Sequence, residues 1–254
     1  MKPLYKRPET LQPCITHYCA GCGHGIIHRL IAEAIDELGV RERTVGMAPV
    51  GCAVLAHRYL KVDMCEPAHG RTAAVAVGIK RVRPECVVFS YQGDGDLAAI
   101  GTAETVHAAN RGEPITVFFV NNAVYGMTGG QMAPTTMLDQ RTTTTPRGRD
   151  GGYHGYPIRV CEMLATLDGP GYIERVAIAS PKHIRHARSA VLKAFRTQTD
   201  HNAYALVEFL SPCPTHWRLG PLEALRFVEE QMTEVFPLGV YRDRFAEALA
   251  PVPE

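Results

Sequence analysis

The chain has 254 residues, 46% of them hydrophobic and 21% charged, with a formal net charge of +1 at pH 7. That balance suits a globular protein and argues against a nucleic-acid or anionic-lipid partner, because the 27 Lys and Arg are dispersed and form no basic track. No apolar stretch is long enough to span a bilayer, and MKPLYKRPETLQPC has no apolar segment behind its basic residues, so a cytoplasmic protein is expected.

In chain order, residues 1–18 read as an extended arm with Pro3, Pro8 and Pro13. Residues 24–38 carry an apolar stripe at helical spacing, and Gly39 stops it. A buried strand is predicted over 44–50 and a small-residue helix over 70–80. A strand over 85–92 runs into GDGD, a helix follows over 97–110, and ITVFFVNN is the next strand at 115–122. Residues 126–157 lack periodicity and are long for a plain connection, which points to function. The Arg141–Arg149 stretch within it, with its four threonines, reads as a lid or a subunit contact. Then come helix 158–167, strand 171–178, helix 182–198, strand 203–210 and helix 221–233, with 234–254 as a peripheral wrap. No repeat, low-complexity tract or boundary interrupts the chain, so 1–254 is read as one domain.

Strand, glycine turn, helix, strand implies a mostly parallel sheet with helices on both faces, an α/β fold. Ligands of such sheets bind beyond the carboxyl ends of the strands. GDGD and NN both sit at such ends. Gly93 and Gly95 allow a phosphate close to the backbone, Asp94 offers the hard oxygen that Mg²⁺ requires, and Asn122 and the Val124 carbonyl add two more. The competing reading is a turn aspartate and an asparagine cap. His24, and His69 with Arg71 and nearby Glu66, stand at helix starts suited to an anion, or equally to capping. His28, His57, His107, His183 and His201 read as ordinary helix or surface histidines.

Eight cysteines are many for a reducing compartment, where ligation or chemistry is the better explanation than disulfides. Cys19 and Cys22 form a C-x-x-C just before a helix, and Cys52 and Cys213 each follow a predicted strand. A zinc site, a [4Fe–4S] site and no metal all remain open on this pattern alone. Cys86 and Cys161 read as core residues, Cys14 lies in the arm, and Cys65 is undecided.

GDGD at 93–96, NNAVYGMTGGQ at 121–131 and CAGCGH at 19–24, with FPLG at 236–239 closing the match, resemble the β subunits of 2-oxoacid:ferredoxin oxidoreductases. The resemblance implies a thiamine-diphosphate-binding fold. It implies Mg²⁺ held by Asp94, Asn122 and the Val124 carbonyl, with Gly93, Gly95, Asp96, Tyr125, Gly126, Met127 and Thr128, and His24 and His69, near the cofactor. It also implies a [4Fe–4S] cluster on Cys19, Cys22, Cys52 and Cys213. The implied reaction is coenzyme A-dependent oxidative decarboxylation of a 2-oxoacid, with electrons passed to ferredoxin. 2-Oxoglutarate comes first by overall likeness, then a branched-chain 2-oxoacid, then pyruvate. No ferredoxin-like cysteine run is present, and the glutamate that activates thiamine comes from the α subunit in that family. The chain is therefore expected to work only with an α subunit, and small ferredoxin-like γ and δ subunits are further candidates. The competing functions are a non-oxidative thiamine-dependent decarboxylase or synthase component and a zinc-stabilised scaffold.

Overall fold

The computed structural model describes residues 6–246; Pro3 of the expected arm and the last eight residues of the expected wrap lie outside that range. Seven strands form one sheet in the order β2-β1-β3-β4-β6-β5-β7. They are β1 (Thr44–Met47), β2 (Asp63–Cys65), β3 (Val87–Gly93), β4 (Thr116–Asn121), β5 (Tyr172–Ala177), β6 (Ala205–Leu210) and β7 (Gly239–Asp243). Every pairing is parallel except β7 against β5.

The helices are α1 (His24–Leu38), α2 (Thr72–Val82), α3 (Thr102–Asn110), α4 (Gly151–His154), α5 (Val160–Ala165), α6 (Pro181–His201), α7 (Pro214–Trp217), α8 (Pro221–Phe227) and α9 (Thr233–Val235). Alternate residues of each strand point to opposite faces, which makes two cores. Phe89, Phe118, Val207 and Phe209 pack against α1 and α6, while Val88, Val117, Phe119 and Leu206 pack against α2, α3 and α5. Every residue of β4, β5 and β6 is buried, as expected of parallel strands covered on both sides. None of the helices described is long and apolar enough to cross a membrane.

The fold departs from the sequence reading at four places. The tail does not simply wrap the surface. Residues 239–243 add an antiparallel edge strand, too short and too weakly patterned to register as one. The helix expected over 97–110 is split into a wide π-turn at Gly95–Ile100 and α3, with Gly101 between them. A Cβ at Gly101 would stand 2.2 Å from the Asp96 carbonyl oxygen and 2.8 Å from that of Gly70, so two backbones meet where only glycine fits. The helix over 221–233 likewise loosens into a π-turn at Val228–Met232. Strand β2 was not anticipated.

The 126–157 segment folds around one cation. Arg149 is buried and donates to the carbonyl oxygens of Pro134 (2.9 Å), Thr136 (2.5 Å), Gly155 (2.9 Å) and Tyr156 (2.8 Å). Charge-assisted bonds of this kind replace the missing apolar core of a long loop. We expect Arg149→Ala to lower the melting temperature by several degrees, since four carbonyl groups, the buried one of Thr136 among them, lose their donor. Differential scanning calorimetry on the purified protein reads this directly, and an unchanged melting temperature would refute it.

Candidate functional site

The parallel strands bring their carboxyl ends to one edge of the sheet. Asp94 follows β3, Asn122 follows β4, Cys52 lies in the loop after β1, and Cys213 comes three residues after β6. A cavity of about 560 Å³ opens at that edge, lined by His24, His69, Gly93 to Asp96, Asn122 and Tyr125 to Thr128 among others. All eleven side chains and glycines expected around a cofactor therefore line one cavity.

Asp94 is buried. Its Oδ1 accepts from the Gly95 amide at 3.1 Å and its Oδ2 from Thr135 Oγ1 at 2.8 Å. Burial pushes its carboxyl up to about 7, against hydrogen bonds from Thr135, Gly95 and Val124 that favour the charge. One atom of the Asn122 amide group lies 2.7 Å from the Val124 carbonyl oxygen and 3.3 Å from Asp94 Oδ2. If that atom is nitrogen, it donates to both. If it is oxygen, it has two further oxygens at spacings that bracket the ~2.9 Å that Mg–O bonds of 2.0–2.1 Å impose on an octahedral edge. A buried carboxylate without a cationic partner among the described residues, near an amide and a carbonyl, fits a divalent cation. The donors are all hard oxygens, as Mg²⁺ requires.

Asp96 occupies a different role from the one its neighbours suggest. Its carboxylate accepts from the Gly70 amide (3.0 Å), Thr72 Oγ1 (2.8 Å), Gln92 Nε2 (2.7 Å) and His69 Nδ1 (2.7 Å). It ties the turn before α2 to the turn after β3 and orients His69 at the cavity wall. His24 is buried, with Nδ1 2.6 Å from the Tyr91 hydroxyl, and burial lowers its pKa to about 4. It is neutral near pH 7 and brings no positive charge to an anion. His28 is not a surface histidine: it is buried, 2.6 Å from the Tyr18 hydroxyl, and its pKa falls to about 3.

Cys19, Cys22, Cys52 and Cys213 line a second cavity, of about 70 Å³. Burial pushes the Cys22 and Cys52 thiols up to about 11 and Cys213 to about 12, and each is raised further by neighbouring members of the set. Among the described residues no three His, Cys, Asp or Glu are grouped to hold a single metal ion. Four thiols spread around a small cavity suit a ligand with volume of its own rather than one zinc ion. Gly126 forms part of the wall. A Cβ there would stand 3.0 Å from Cys52 Sγ and 3.7 Å from Cys213 Sγ. The two cavities share His24, Cys52, Asn122 and Gly126. Cys14, Cys65, Cys86 and Cys161 line neither.

Sequence reasoning missed Thr135, which grips Asp94 from within the aperiodic segment, and Trp217, whose Nε1 donates to the Asn122 carbonyl at 3.0 Å. It also missed Val50 and Ile100, which with Met127 leave apolar surface exposed at the mouth of the larger cavity. Thr135 and Trp217 become neighbours of the site only through contacts distant in sequence, which no local pattern marks.

Residues 49–209 match the family model described as thiamine pyrophosphate enzyme, C-terminal TPP binding domain. The chain is 55% identical, over 96% of its length, to ketoisovalerate oxidoreductase subunit VorA of Methanothermobacter thermautotrophicus, and covers 51% of that protein. It is 35% identical to 2-oxoglutarate synthase subunit KorB of Archaeoglobus fulgidus, across 96% of this chain and 89% of the relative. Its fold is similar to that of 2-oxoglutarate:ferredoxin oxidoreductase from Magnetococcus marinus, with a TM-score of 0.75 at 23% identity, covering 97% of this chain and 87% of that one. The chain thus spans about half the length of VorA and most of the length of KorB.

Proposed function

The chain belongs to the thiamine pyrophosphate enzymes, among the subunits of 2-oxoacid oxidoreductases, and from that premise we propose that it is the cofactor-binding part of an enzyme that oxidatively decarboxylates a 2-oxoacid to an acyl-coenzyme A and CO₂, with ferredoxin as electron acceptor. The observation that carries this reading is the wall common to the two cavities. One cavity is lined by Asp94 and Asn122, with the Val124 carbonyl oxygen 2.7 Å from the Asn122 amide behind them, the other gathers four thiols, and Asn122, Gly126, Cys52 and His24 face both. A non-oxidative thiamine enzyme has no use for the second cavity, and a zinc scaffold has none for the first.

In this reading Asp94, Asn122 and the Val124 carbonyl hold Mg²⁺ on the cofactor diphosphate. Gly93 and Gly95 leave room for the phosphates, and Tyr125 to Thr128 close over them. Thiamine diphosphate, when bound, supplies the carbanion chemistry that allows a 2-oxoacid to lose CO₂. Cys19, Cys22, Cys52 and Cys213 hold a [4Fe–4S] cluster, which would accept electrons one at a time. Gly126 keeps the partition thin, and neutral His24 fills it without adding charge. An α subunit completes the site and supplies the carboxylate that thiamine needs.

The chain's own contribution to the mouth supports a branched-chain 2-oxoacid ahead of 2-oxoglutarate, which reverses the order expected from overall likeness. Val50, Ile100 and Met127 expose apolar surface there, and among the described residues the basic side chains lining the cavity are His24 and His69. A second carboxylate entering such a mouth would lose water without gaining a partner. The 55% identity to a protein named for ketoisovalerate supports the same order.

We expect the assembled enzyme, purified without oxygen, to contain iron, sulfide and thiamine diphosphate. It should turn over 2-oxoisovalerate with a kcat/KM at least about tenfold above that for 2-oxoglutarate, a difference of roughly 1.4 kcal/mol in transition-state binding. Rates with each 2-oxoacid, coenzyme A and ferredoxin measure this. A preference for 2-oxoglutarate would overturn the substrate order, and a wild type that holds zinc and no thiamine would overturn the function.

A further inference from the structure

Ala123 sits between the two residues that face Asp94, and its backbone is in the left-handed region, with φ +56°, although it is not glycine and is fully buried. Such a conformation costs on the order of 1 kcal/mol or more and persists only where the surroundings over-determine it. The turn is gripped from several sides. The Ala123 amide donates to Asn121 Oδ1 at 3.1 Å, the Ala123 carbonyl accepts from Thr136 Oγ1 at 2.6 Å, and the Asn122 carbonyl accepts from Trp217 Nε1.

Of these grips, the one through Asn121 is tied to a buried charge. Asn121 Nδ2 donates to Glu208 Oε1 at 2.8 Å. Glu208 Oε2 accepts from Arg175 Nε at 2.9 Å, and both side chains are essentially inaccessible. Arg175 is held in turn from its far side by Glu162, at 2.6 and 3.0 Å, and by the Tyr241 hydroxyl at 2.6 Å on β7. A carboxylate can only accept hydrogen bonds, so it fixes which end of the Asn121 amide faces it and turns the oxygen toward the Ala123 amide. The buried pair thus decides the polarity of the contact that shapes the turn. Buried ion pairs are poor sources of stability compared with apolar packing of the same volume, and their better-attested use is to specify one geometry among several.

We propose that Asn121, oriented by the buried Glu208–Arg175 pair, is the positioning residue that sets the Asn122–Val124 turn in the geometry a divalent cation needs. The proposal rests on the reading of Asp94, Asn122 and Val124 as cation ligands. It adds that ligand geometry is controlled from β5 and β6, through residues that touch neither cation nor cofactor.

The test uses the assembled enzyme with thiamine diphosphate, titrated with Mn²⁺ and followed by electron paramagnetic resonance. Asn121→Asp sets two carboxylates against each other, and Glu208→Gln cannot accept from both donors. Each single variant should weaken Mn²⁺ binding tenfold or more. In the double variant Asn121→Asp/Glu208→Gln the polarity is reversed but complete: the new amide at 208 donates to the new carboxylate at 121, its oxygen still accepts from Arg175, and the carboxylate accepts from the Ala123 amide. Mn²⁺ affinity and the hyperfine pattern should return to within about threefold of wild type. Glu162→Gln, which loosens Arg175 from the side away from Asn121, should lower the melting temperature and leave Mn²⁺ affinity unchanged. Should a single variant fail to assemble, the double variant still decides the matter. Unaltered Mn²⁺ binding in the single variants, or no recovery in the double, would overturn the positioning role. A wild type that binds no Mn²⁺ with the cofactor would overturn the cation site itself, before any variant is compared.

Discussion

Replacing Asp94 by alanine should abolish magnesium-dependent binding of thiamine diphosphate, with a loss of at least about 100-fold in affinity, of the size expected when a primary ligand of a hard cation is removed. The fold should survive. Asp94 lies beyond the last residue of β3, and its hydrogen bonds run to Thr135 and to the backbone of neighbouring loops rather than into the strand ladder. Calorimetric titration of the assembled enzyme at saturating Mg²⁺ gives the affinity, and far-ultraviolet circular dichroism reports the fold. Cofactor affinity equal to wild type would remove Asp94 from the site.

The electrostatics of the same carboxylate make a second, opposite effect testable. Its folded pKa, about 7, stands above the ordinary carboxylate value, because burial disfavours the charge and no cation compensates it. For an acid with a raised pKa the unfolded state loses its proton first. The group therefore costs no stability below about pH 4, and its penalty grows as pH rises toward 7. Asp94→Asn should then stabilise the cofactor-free protein at pH 8, on the order of 2 kcal/mol, while destroying cation binding. Protons should compete with Mg²⁺ in the wild type, so affinity should fall as pH drops below 7, by up to about tenfold per unit. Stability to urea at pH 5 and pH 8 separates the two effects. A variant less stable than wild type at pH 8 would show that the carboxylate is not held at a cost.

Replacing Cys213 by serine should remove the iron–sulfur cluster and cut electron transfer to ferredoxin by 100-fold or more, while thiamine diphosphate still binds within about threefold of wild type. The thiol is buried after β6, its charge would be felt by Cys22 and Cys52, and it lines the same small cavity as Cys19. A hydroxyl is a poorer ligand for iron than a thiolate. Cys86→Ser should leave the iron content unchanged, since Cys86 packs in the core between the sheet and α2. Gly126→Ala should lower both iron content and cofactor affinity, because its methyl group would press on Cys52 from the shared wall. Iron and sulfide assays with low-temperature electron paramagnetic resonance read all three. Full cluster occupancy after loss of Cys213 would refute the ligand set.

The local chemistry of the site was legible in the sequence. GDGD and NN stand at strand ends because a hydrophobic run must stop where the chain leaves the sheet, and parallel pairing then requires those ends to share an edge. That reasoning pointed to Asp94, Asn122 and Val124 and put Cys52 and Cys213 at strand ends, while the set of four cysteines as cluster ligands came only from the resemblance to the β subunits of 2-oxoacid:ferredoxin oxidoreductases. The periodic helices and buried strands were legible for the same reason: one buried stripe or two buried faces leave a repeat in the hydrophobic pattern. What the sequence could not supply were the contacts whose partners lie on different crossovers. Thr135 reaches Asp94, Trp217 reaches the Asn122 carbonyl, and Glu208 reaches Asn121, each across long sequence separations that no local pattern records. Strand β7 belongs to the same class, since its partner is β5 and its own residues hardly alternate. Tertiary packing alone also set the charge states, because burial depends on neighbours from other elements: it leaves His24 neutral and lifts the carboxyl of Asp94. The sequence thus determined which atoms are available to the site, and the folded sheet decided how they are aimed and in what state of protonation they wait.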